Sequence, residues 1–209
     1  MKRFLLPAVK GLLEHQKKRT GPFAERNGIP LPPFHNHKRV FIDLNNAGKI
    51  AKKFRQYGWK PSKRELTVAA NAIALSDLMH DHPMGERNHE ERSAEFAERH
   101  LKGVDPSLVK EIKRAILATK PDSKPVSTVD QIVKDSDYGE LANYRRFLRN
   151  NELLAEEYGI SREREDLKAY ELLKKFSGNE GFASQAAKDV FQRAIKKNKQ
   201  RFGDKIAWD

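Results

Sequence analysis

Five of the seven histidines fall in short segments that contain the residue types that bind metal ions. Two flank Asn36, two flank Asp81, and one follows a few residues later: His35, His37, His80, His82 and His89. The chain contains no Cys, which excludes a thiolate zinc site and a cysteine nucleophile. A transition-metal site would therefore use imidazole and carboxylate ligands, which suit Mn, Fe, Mg or Zn in an open catalytic geometry.

Two carboxylates are placed to join these histidines, Asp81 and Asp137. Asp81 directly follows His80 at the end of the most apolar predicted helix. Asp137 follows Val133 by four positions, so helical spacing predicts that both side chains lie on one buried face. An unpaired carboxylate on a buried face costs free energy, and a metal ion or a histidine would relieve that cost.

Several segments resemble the HD superfamily of metal-dependent phosphohydrolases, and most closely a small bacterial subfamily of predicted HD phosphohydrolases. Residues 74–81 are similar to the central helix that ends in the His-Asp pair, and residues 132–137 to the helix with the final Asp. Three further segments are similar to this subfamily: Phe34-His35-Asn36, Asn88-His89-Glu90-Glu91-Arg92-Ser93-Ala94 and residues 144–158. The resemblance covers residues 34–176.

The resemblance implies a helical bundle around one or two divalent metal ions, with Mn, Fe, Mg, Zn, Co and Ni as candidates. It implies metal ligands at His37, His80, Asp81 and Asp137. It implies catalytic roles for His35, Glu90 and Glu91, and phosphate contacts from Arg39, Arg92 and Lys120. The implied reaction is the attack of metal-activated water on a nucleotide or another small phosphoester.

Two departures from the HD pattern leave a second function open. Arg39 stands where related proteins have a second His. A second alignment places Ser76-Asp77, rather than His80-Asp81, at the His-Asp position. In that alignment two metal ligands are missing, and the chain is a non-catalytic HD-like protein that binds nucleic acid or an acidic partner through its basic surface.

The same side chains also have purely structural interpretations. His80 and His82 can cap the central helix, and Asp137 lies at the surface if its helix is rotated. Glu90 and Glu91 are acids of the kind that the helix dipole favours in a first turn. Spacing alone does not decide between these interpretations and the catalytic ones.

Hydrophobic spacing is helical almost throughout and predicts an all-α single domain, a bundle of the HD type with basic helical extensions. The predicted helices cover residues 5–13, 38–57, 62–79, 88–102, 106–119, 126–149, 162–176 and 181–200. The helix at 62–79 begins with capping-box spacing at Ser62 and Glu65, and it is apolar nearly all round, as is typical of a central helix. The predicted divisions are an N-terminal helix and Pro-rich loop at 1–33, an HD-like domain at 34–176 and a basic C-terminal helix at 177–209.

Positive charge exceeds negative charge strongly, because 41 Lys and Arg stand against 29 Asp and Glu, for a formal net charge of +12. Such an excess fits a nucleic acid or a phosphorylated substrate as the partner, and a solvated surface is the alternative. Three segments combine aromatic and basic residues, at 54–60, 144–147 and 200–202. Their aromatic rings can stack on bases or belong to the core. No apolar run reaches the roughly 18 residues of a membrane helix, so we expect a cytoplasmic protein without a membrane partner.

Overall fold

The fold is all-helical, as the sequence predicts. A computed structural model describes residues 1–19, 37–76 and 89–206 of the chain. Within these ranges nine α-helices pack together and no strand is present. The helices are α1 (Pro7–Arg19), α2 (His37–Gln56), α3 (Lys63–Ser76), α4 (His89–His100), α5 (Pro106–Leu117), α6 (Thr128–Asp137), α7 (Tyr144–Tyr158), α8 (Arg162–Ser177) and α9 (Arg193–Ile206).

The central position of α3 is confirmed. Nine of its residues are buried, from Leu66 to Leu75, so water reaches almost none of its circumference. Its capping box also forms, since the Ser62 backbone N donates to Glu65 and the Glu65 backbone N donates to Ser62 Oγ. The one polar residue among these nine, Asn71, accepts a hydrogen bond from the Leu6 backbone at 2.9 Å and thereby holds the N-terminal segment.

The predicted helix at 126–149 is wrong, because the structure divides it into α6, a 3₁₀ turn at Tyr138–Ala142 and α7. Gly139 in the turn packs so closely on α2 that an added Cβ would lie 2.6 Å from the side chain of Asn46. Asn143 then adopts an extended conformation, and its side chain caps α7 by accepting a hydrogen bond from the Arg146 backbone. A polar residue such as Asn143 is also found within continuous helices. The spacing of apolar residues therefore did not reveal that the helix is interrupted here.

Both terminal regions contribute to the same core as α3. Val9 and Leu13 of α1 are buried, as are Ile195 and Phe202 of α9. Phe202 packs edge-on against Phe147 with ring centroids 5.0 Å apart. The core interpretation is therefore confirmed for these two aromatic residues.

The helix predicted at 181–200 begins and ends later than expected. It starts with a short turn at Gln185–Ala187, continues as a π-helical stretch at Lys188–Gln192, and leads directly into α9, which ends at Ile206. Ser184 caps this segment by accepting a hydrogen bond from the Ala187 backbone at 3.1 Å. Across the described ranges, each helix is too short or too polar to span a membrane.

Candidate functional site

The start of α2, the end of α6 and the 3₁₀ turn meet around one buried guanidinium. Arg39 is only 8% exposed, and Asp43, one helical turn later, is buried beside it. Glu140 of the 3₁₀ turn is also buried, whereas the side chain of Asp137 at the end of α6 is 46% exposed. We call these four residues the Arg39 centre.

Each nitrogen of the Arg39 guanidinium faces a different carboxylate. Nε lies 3.0 Å from Asp43 Oδ2, Nη1 donates to Glu140, and Nη2 donates to the side chain of Asp137. Nη2 also donates to the carbonyl oxygen of Asp137 at 2.7 Å, and Asn150 donates to the second oxygen of Glu140. The planar guanidinium suits this arrangement because its donors point in several fixed directions, unlike the compact ammonium of lysine.

Asp137 lies on the same side of α6 as Val133, as predicted, since both line one cavity, but the predicted burial of Asp137 is wrong. Val133 is buried, but nearly half of the Asp137 side chain is exposed at the end of α6. The cation that faces this carboxylate is the guanidinium of Arg39, whereas the sequence predicts a metal ion or a histidine there. The surface interpretation of Asp137 was therefore closer to the structure than the buried one.

Two acids of α6 are buried, Asp130 and Asp135, and sequence reasoning missed the role of Asp135. Its carboxylate accepts hydrogen bonds from the backbone N of Ala183 at 2.7 Å, and from the backbone N and the hydroxyl of Ser184 at 2.9 and 2.6 Å. Burial raises the pKa of Asp135 to about 6, against the opposing effect of these hydrogen bonds. Asp135 thereby fixes the start of the C-terminal helical segment on α6.

The two predicted catalytic acids lie in the first turn of α4, where the helix dipole favours acids. Glu90 is buried, and its Oε2 lies 3.4 Å from Nδ1 of His89. Glu91 forms an ion pair with Lys120, and this contact lowers the pKa of Glu91. A predicted catalytic residue and a predicted phosphate-binding residue are thus partners of each other, and Arg92 lies partly buried on the same helix.

Two cavities open beside the Arg39 centre and share His89, Asp137 and Tyr138 in their walls. The smaller has a volume of about 130 Å³ and also contacts Asp43 and Glu90. The larger has a volume of about 360 Å³ and extends between α7 and α8, where Leu154 and Leu172 form part of its wall. The larger volume falls within the range of small-molecule sites.

The structure leaves the position of the His-Asp pair open. Three predicted site residues lie outside the described ranges: His35, His80 and Asp81. Asp77 of the second alignment lies outside them as well, and His37 is the first residue of α2. Ser76 ends α3, and its carbonyl accepts a hydrogen bond from Ser93 Oγ at 2.7 Å, which ties the end of α3 to α4.

The described residues do not fit a divalent metal ion. Within residues 1–19, 37–76 and 89–206, no group of three or more His, Asp or Glu side chains is arranged to hold one. The carboxylates of Asp43, Asp137 and Glu140 all face the guanidinium of Arg39. A bound metal therefore stays a prediction of the sequence.

Comparison with known proteins found no match, whether among protein-family models, curated proteins or solved structures. The resemblance to the HD superfamily and the hydrolysis that it implies therefore also stay predictions.

A second candidate site is the exposed side of α2, opposite the Arg39 centre. Lys49, Lys52 and Arg55 are exposed there, and Lys2 and Arg3 of the N-terminal segment are exposed beside them. We call these five residues the basic face. None of the five forms an ion pair with a described residue, so their charges face solvent.

Contacts on both sides of α2 hold the basic face together. On one side, the Lys2 ammonium lies 4.2 Å from the centre of the Phe41 ring, which places the N-terminal segment along the helix. On the other side, Lys53 forms an ion pair with Asp189 at 3.3 Å, and Lys49 lies 5.8 Å from the Phe191 ring. The fold thus brings together basic segments that are remote in sequence.

Proposed function

We propose that the protein binds nucleic acid through the basic face. The observation that carries this proposal is that the exposed side of α2 presents three cations and no acid. The only acid of this 20-residue helix is Asp43, and it is buried beside Arg39. A helix side that carries cations and no acid of its own favours a polyanion, and the nearby carboxylate of Asp189 is paired with Lys53 rather than with Lys49, Lys52 or Arg55.

The spacing of the cations suits an extended chain of phosphates. Lys49, Lys52 and Arg55 follow one another at intervals of three residues, so they span roughly 9 Å along the helix axis. Their long side chains extend this reach, and Lys2 and Arg3 widen the positive surface on one side. Contacts with several phosphates at once release counterions, which supplies most of the affinity in non-specific binding.

The basic face is an open surface, and this favours a polymer over a small phosphoester. Small ligands bind in concave sites that cover most of their surface, whereas Lys49, Lys52 and Arg55 line none of the described cavities. The net charge of +12 adds attraction for a polyanion at longer range.

Aromatic side chains at the end of α2 offer a surface for stacking. Tyr57 is 50% exposed, and it packs edge-on against Phe54 with ring centroids 6.5 Å apart. Trp59 also packs edge-on against Phe54, with ring centroids 6.0 Å apart. Stacking of bases on exposed rings is tolerant of sequence, so we expect binding to single strands without strong sequence preference.

Fluorescence anisotropy tests the proposal with a labelled single-stranded DNA of about 20 nucleotides and a duplex of the same length. The test variant is Lys49→Gln/Lys52→Gln/Arg55→Gln. The matched control is Lys102→Gln/Lys110→Gln/Lys124→Gln, which removes the same charge from exposed positions outside the basic face.

We expect the test variant to bind at least about tenfold more weakly than the control in roughly 100 mM salt. We also expect the slope of log K against log salt to fall by about 2 to 3 for the test variant, since each lost phosphate contact lowers it by about 0.7 to 0.9. Equal losses of affinity in the test and control variants would contradict the proposal, because they would show that binding depends on net charge rather than on the basic face. A wild-type protein that does not bind, or whose binding is insensitive to salt, would remove the proposal.

A further inference from the structure

We infer that the larger cavity, which extends from the Arg39 centre between α7 and α8, binds a small organic cation, an amine or amidine attached to an apolar body. Three features of its wall support this inference: a buried carboxylate that lacks a hydrogen bond, an excess of negative charge, and an apolar lining. The inference does not rest on nucleic-acid binding, because the cavity and the basic face share no residue.

The first feature is the carboxylate of Glu165, which α8 contributes to the cavity wall. Glu165 is only 6% exposed, and its Oε2 is buried without a hydrogen-bond partner among the described residues. The ammonium of Lys168 lies 3.7 Å from this oxygen, which is too far for a hydrogen bond. A buried carboxylate oxygen without a donor costs free energy, and burial raises the pKa of Glu165. A ligand that carries a charged N–H group would supply the missing donor.

The second feature is the sign of the charge on the wall. Three acids and two bases line the cavity: Asp137, Glu140, Glu165, Arg39 and Lys168. With histidine neutral at pH 7, the wall therefore carries one negative charge in excess, although the chain as a whole has a net charge of +12. Fields are concentrated inside a cleft with walls of low dielectric constant, so this local excess favours a cationic ligand.

Both cations of the wall already face carboxylates. Arg39 contacts the three acids of the Arg39 centre, and Lys168 lies beside Glu165 on the same helix. An anionic ligand such as a phosphoester would have to compete with these carboxylates for the two cations. A cationic ligand would instead meet a carboxylate that still lacks a hydrogen bond.

The third feature is the apolar part of the wall. Five apolar side chains line the cavity: Leu141, Phe147, Leu154, Ala169 and Leu172. The volume of about 360 Å³ lies at the lower end of the range for small-molecule sites. We therefore expect a ligand with a single ring or a short alkyl chain, whose apolar body contacts these side chains while its cationic group contacts Glu165.

NMR titration tests this inference with two cations, phenethylamine and benzamidine, and with neutral counterparts of similar shape, 2-phenylethanol and benzamide. The test variant is Glu165→Gln, which keeps the shape of the side chain and removes its charge. The matched control is Glu171→Gln, which makes the same change at an exposed position of α8. A second test variant, Leu154→Trp, keeps the carboxylate and fills part of the cavity.

We expect the wild-type protein and Glu171→Gln to bind each cation at least about tenfold more tightly than its neutral counterpart. We expect Glu165→Gln to bind the cations at least about tenfold more weakly than the wild-type protein does, with little change for the neutral compounds, because only the cations lose a charge-assisted hydrogen bond. Leu154→Trp should weaken the binding of the cations and of the neutral compounds alike.

Three results would overturn the inference. One is a wild-type protein that binds neither cation at concentrations up to about 10 mM, and another is equal affinity for the cations and their neutral counterparts. The third is an equal loss of affinity in Glu165→Gln and Glu171→Gln, which would show that the cations bind to surface acids. If Glu165→Gln does not fold, Leu154→Trp decides, because unchanged affinity for the cations in that variant would place their binding outside the cavity.

Discussion

The two sides of α2 use positive charge in opposite ways. On the buried side, Arg39 faces three carboxylates of the Arg39 centre, and two of these are themselves buried. On the exposed side, Lys49, Lys52 and Arg55 have no ion-pair partner among the described residues. The same helix therefore carries a buried charge that the fold neutralises and three exposed charges that it leaves to solvent.

This difference has a physical origin in desolvation. A charge removed from water loses several kcal/mol of hydration, so it is tolerated only where other groups replace that hydration. An exposed charge keeps its hydration and contributes little to folding, so it is available to a ligand. The comparison predicts that substitutions on the buried side change stability, whereas those on the exposed side change binding.

The largest effect is expected at Arg39. Replacing it with Met leaves Asp43 and Glu140 buried without their cation, and we expect the free energy of unfolding to fall by about 3–5 kcal/mol. Urea unfolding at pH 7, followed by circular dichroism, measures this loss. Lys52→Met is the matched control on the exposed side, and we expect a change within about 0.5 kcal/mol. Similar losses of unfolding free energy in Arg39→Met and Lys52→Met would contradict the expected difference between the two sides of α2.

The comparison also applies to Asp135, a buried acid whose carboxylate accepts hydrogen bonds from neutral groups only. Its pKa is about 6 in the folded protein against an ordinary value of 3.8, so the folded state binds the proton more tightly than the unfolded chain. The stability that this proton contributes is fully present below about pH 4 and is lost as pH rises through about 6. The shift corresponds to about 3 kcal/mol.

The measurement is urea unfolding of the wild-type protein and of Asp135→Asn at several pH values from 4 to 7. The variant cannot lose this proton, so we expect the wild-type protein to lose about 3 kcal/mol more than the variant over this range. Parallel pH profiles would contradict the raised pKa of Asp135. Because other acids titrate in both proteins, only the difference between the two profiles is used.

Lys134 is a cation held by neutral groups instead of carboxylates. Its Nζ donates to the carbonyl oxygens of Lys120 and Ser123 at 2.6 and 2.8 Å, and burial lowers the pKa of Lys134. We expect Lys134→Met to lower the free energy of unfolding by about 1–3 kcal/mol, less than Arg39→Met, because no buried carboxylate loses its partner. Lys124→Met, at an exposed position, is the control. A larger loss of unfolding free energy in Lys134→Met than in Arg39→Met would contradict this expected order.

The smallest effect on stability is expected on the basic face. Lys49→Gln/Lys52→Gln/Arg55→Gln removes three exposed charges, and we expect the free energy of unfolding to change by less than about 0.5 kcal/mol per substitution. The same preparation used for nucleic-acid binding is unfolded in urea. A loss of several kcal/mol would mean that these cations support the fold, and weaker binding could then not be attributed to the surface alone.

Local patterns in the sequence predicted the helices well. The apolar residues of α3 repeat all round the helix, and the structure buries eight of them. The same kind of pattern failed at 138–143, where the contact of Gly139 with Asn46 and the cap at Asn143 interrupt the helix. The spacing of apolar residues along one segment does not show how closely that segment approaches another helix. The break at 138–143 therefore could not be predicted, because it depends on the contact with Asn46 of α2.

The candidate site was predicted less completely than the helices. Sequence reasoning identified Arg39 as a departure and Asp137 as an acid in need of a partner, but it did not pair them. It placed Asp137 on a buried face from its spacing to Val133 and did not consider Asp135, because the rotation of α6 was unknown. Glu140 carried no recognisable signal, since a single acid after a helix is common at protein surfaces.

The sequence by itself determined that the chain is helical, that α3 is central and that positive charge is in excess, because each property depends on neighbouring residues or on composition. Only the tertiary structure decided which charges are neutralised. Arg39 meets Asp137 and Glu140 across 98 and 101 residues of chain, so their contact depends on how α2 packs against α6 and the turn. That packing buries Arg39 with its acids and leaves Lys49, Lys52 and Arg55 on an open surface.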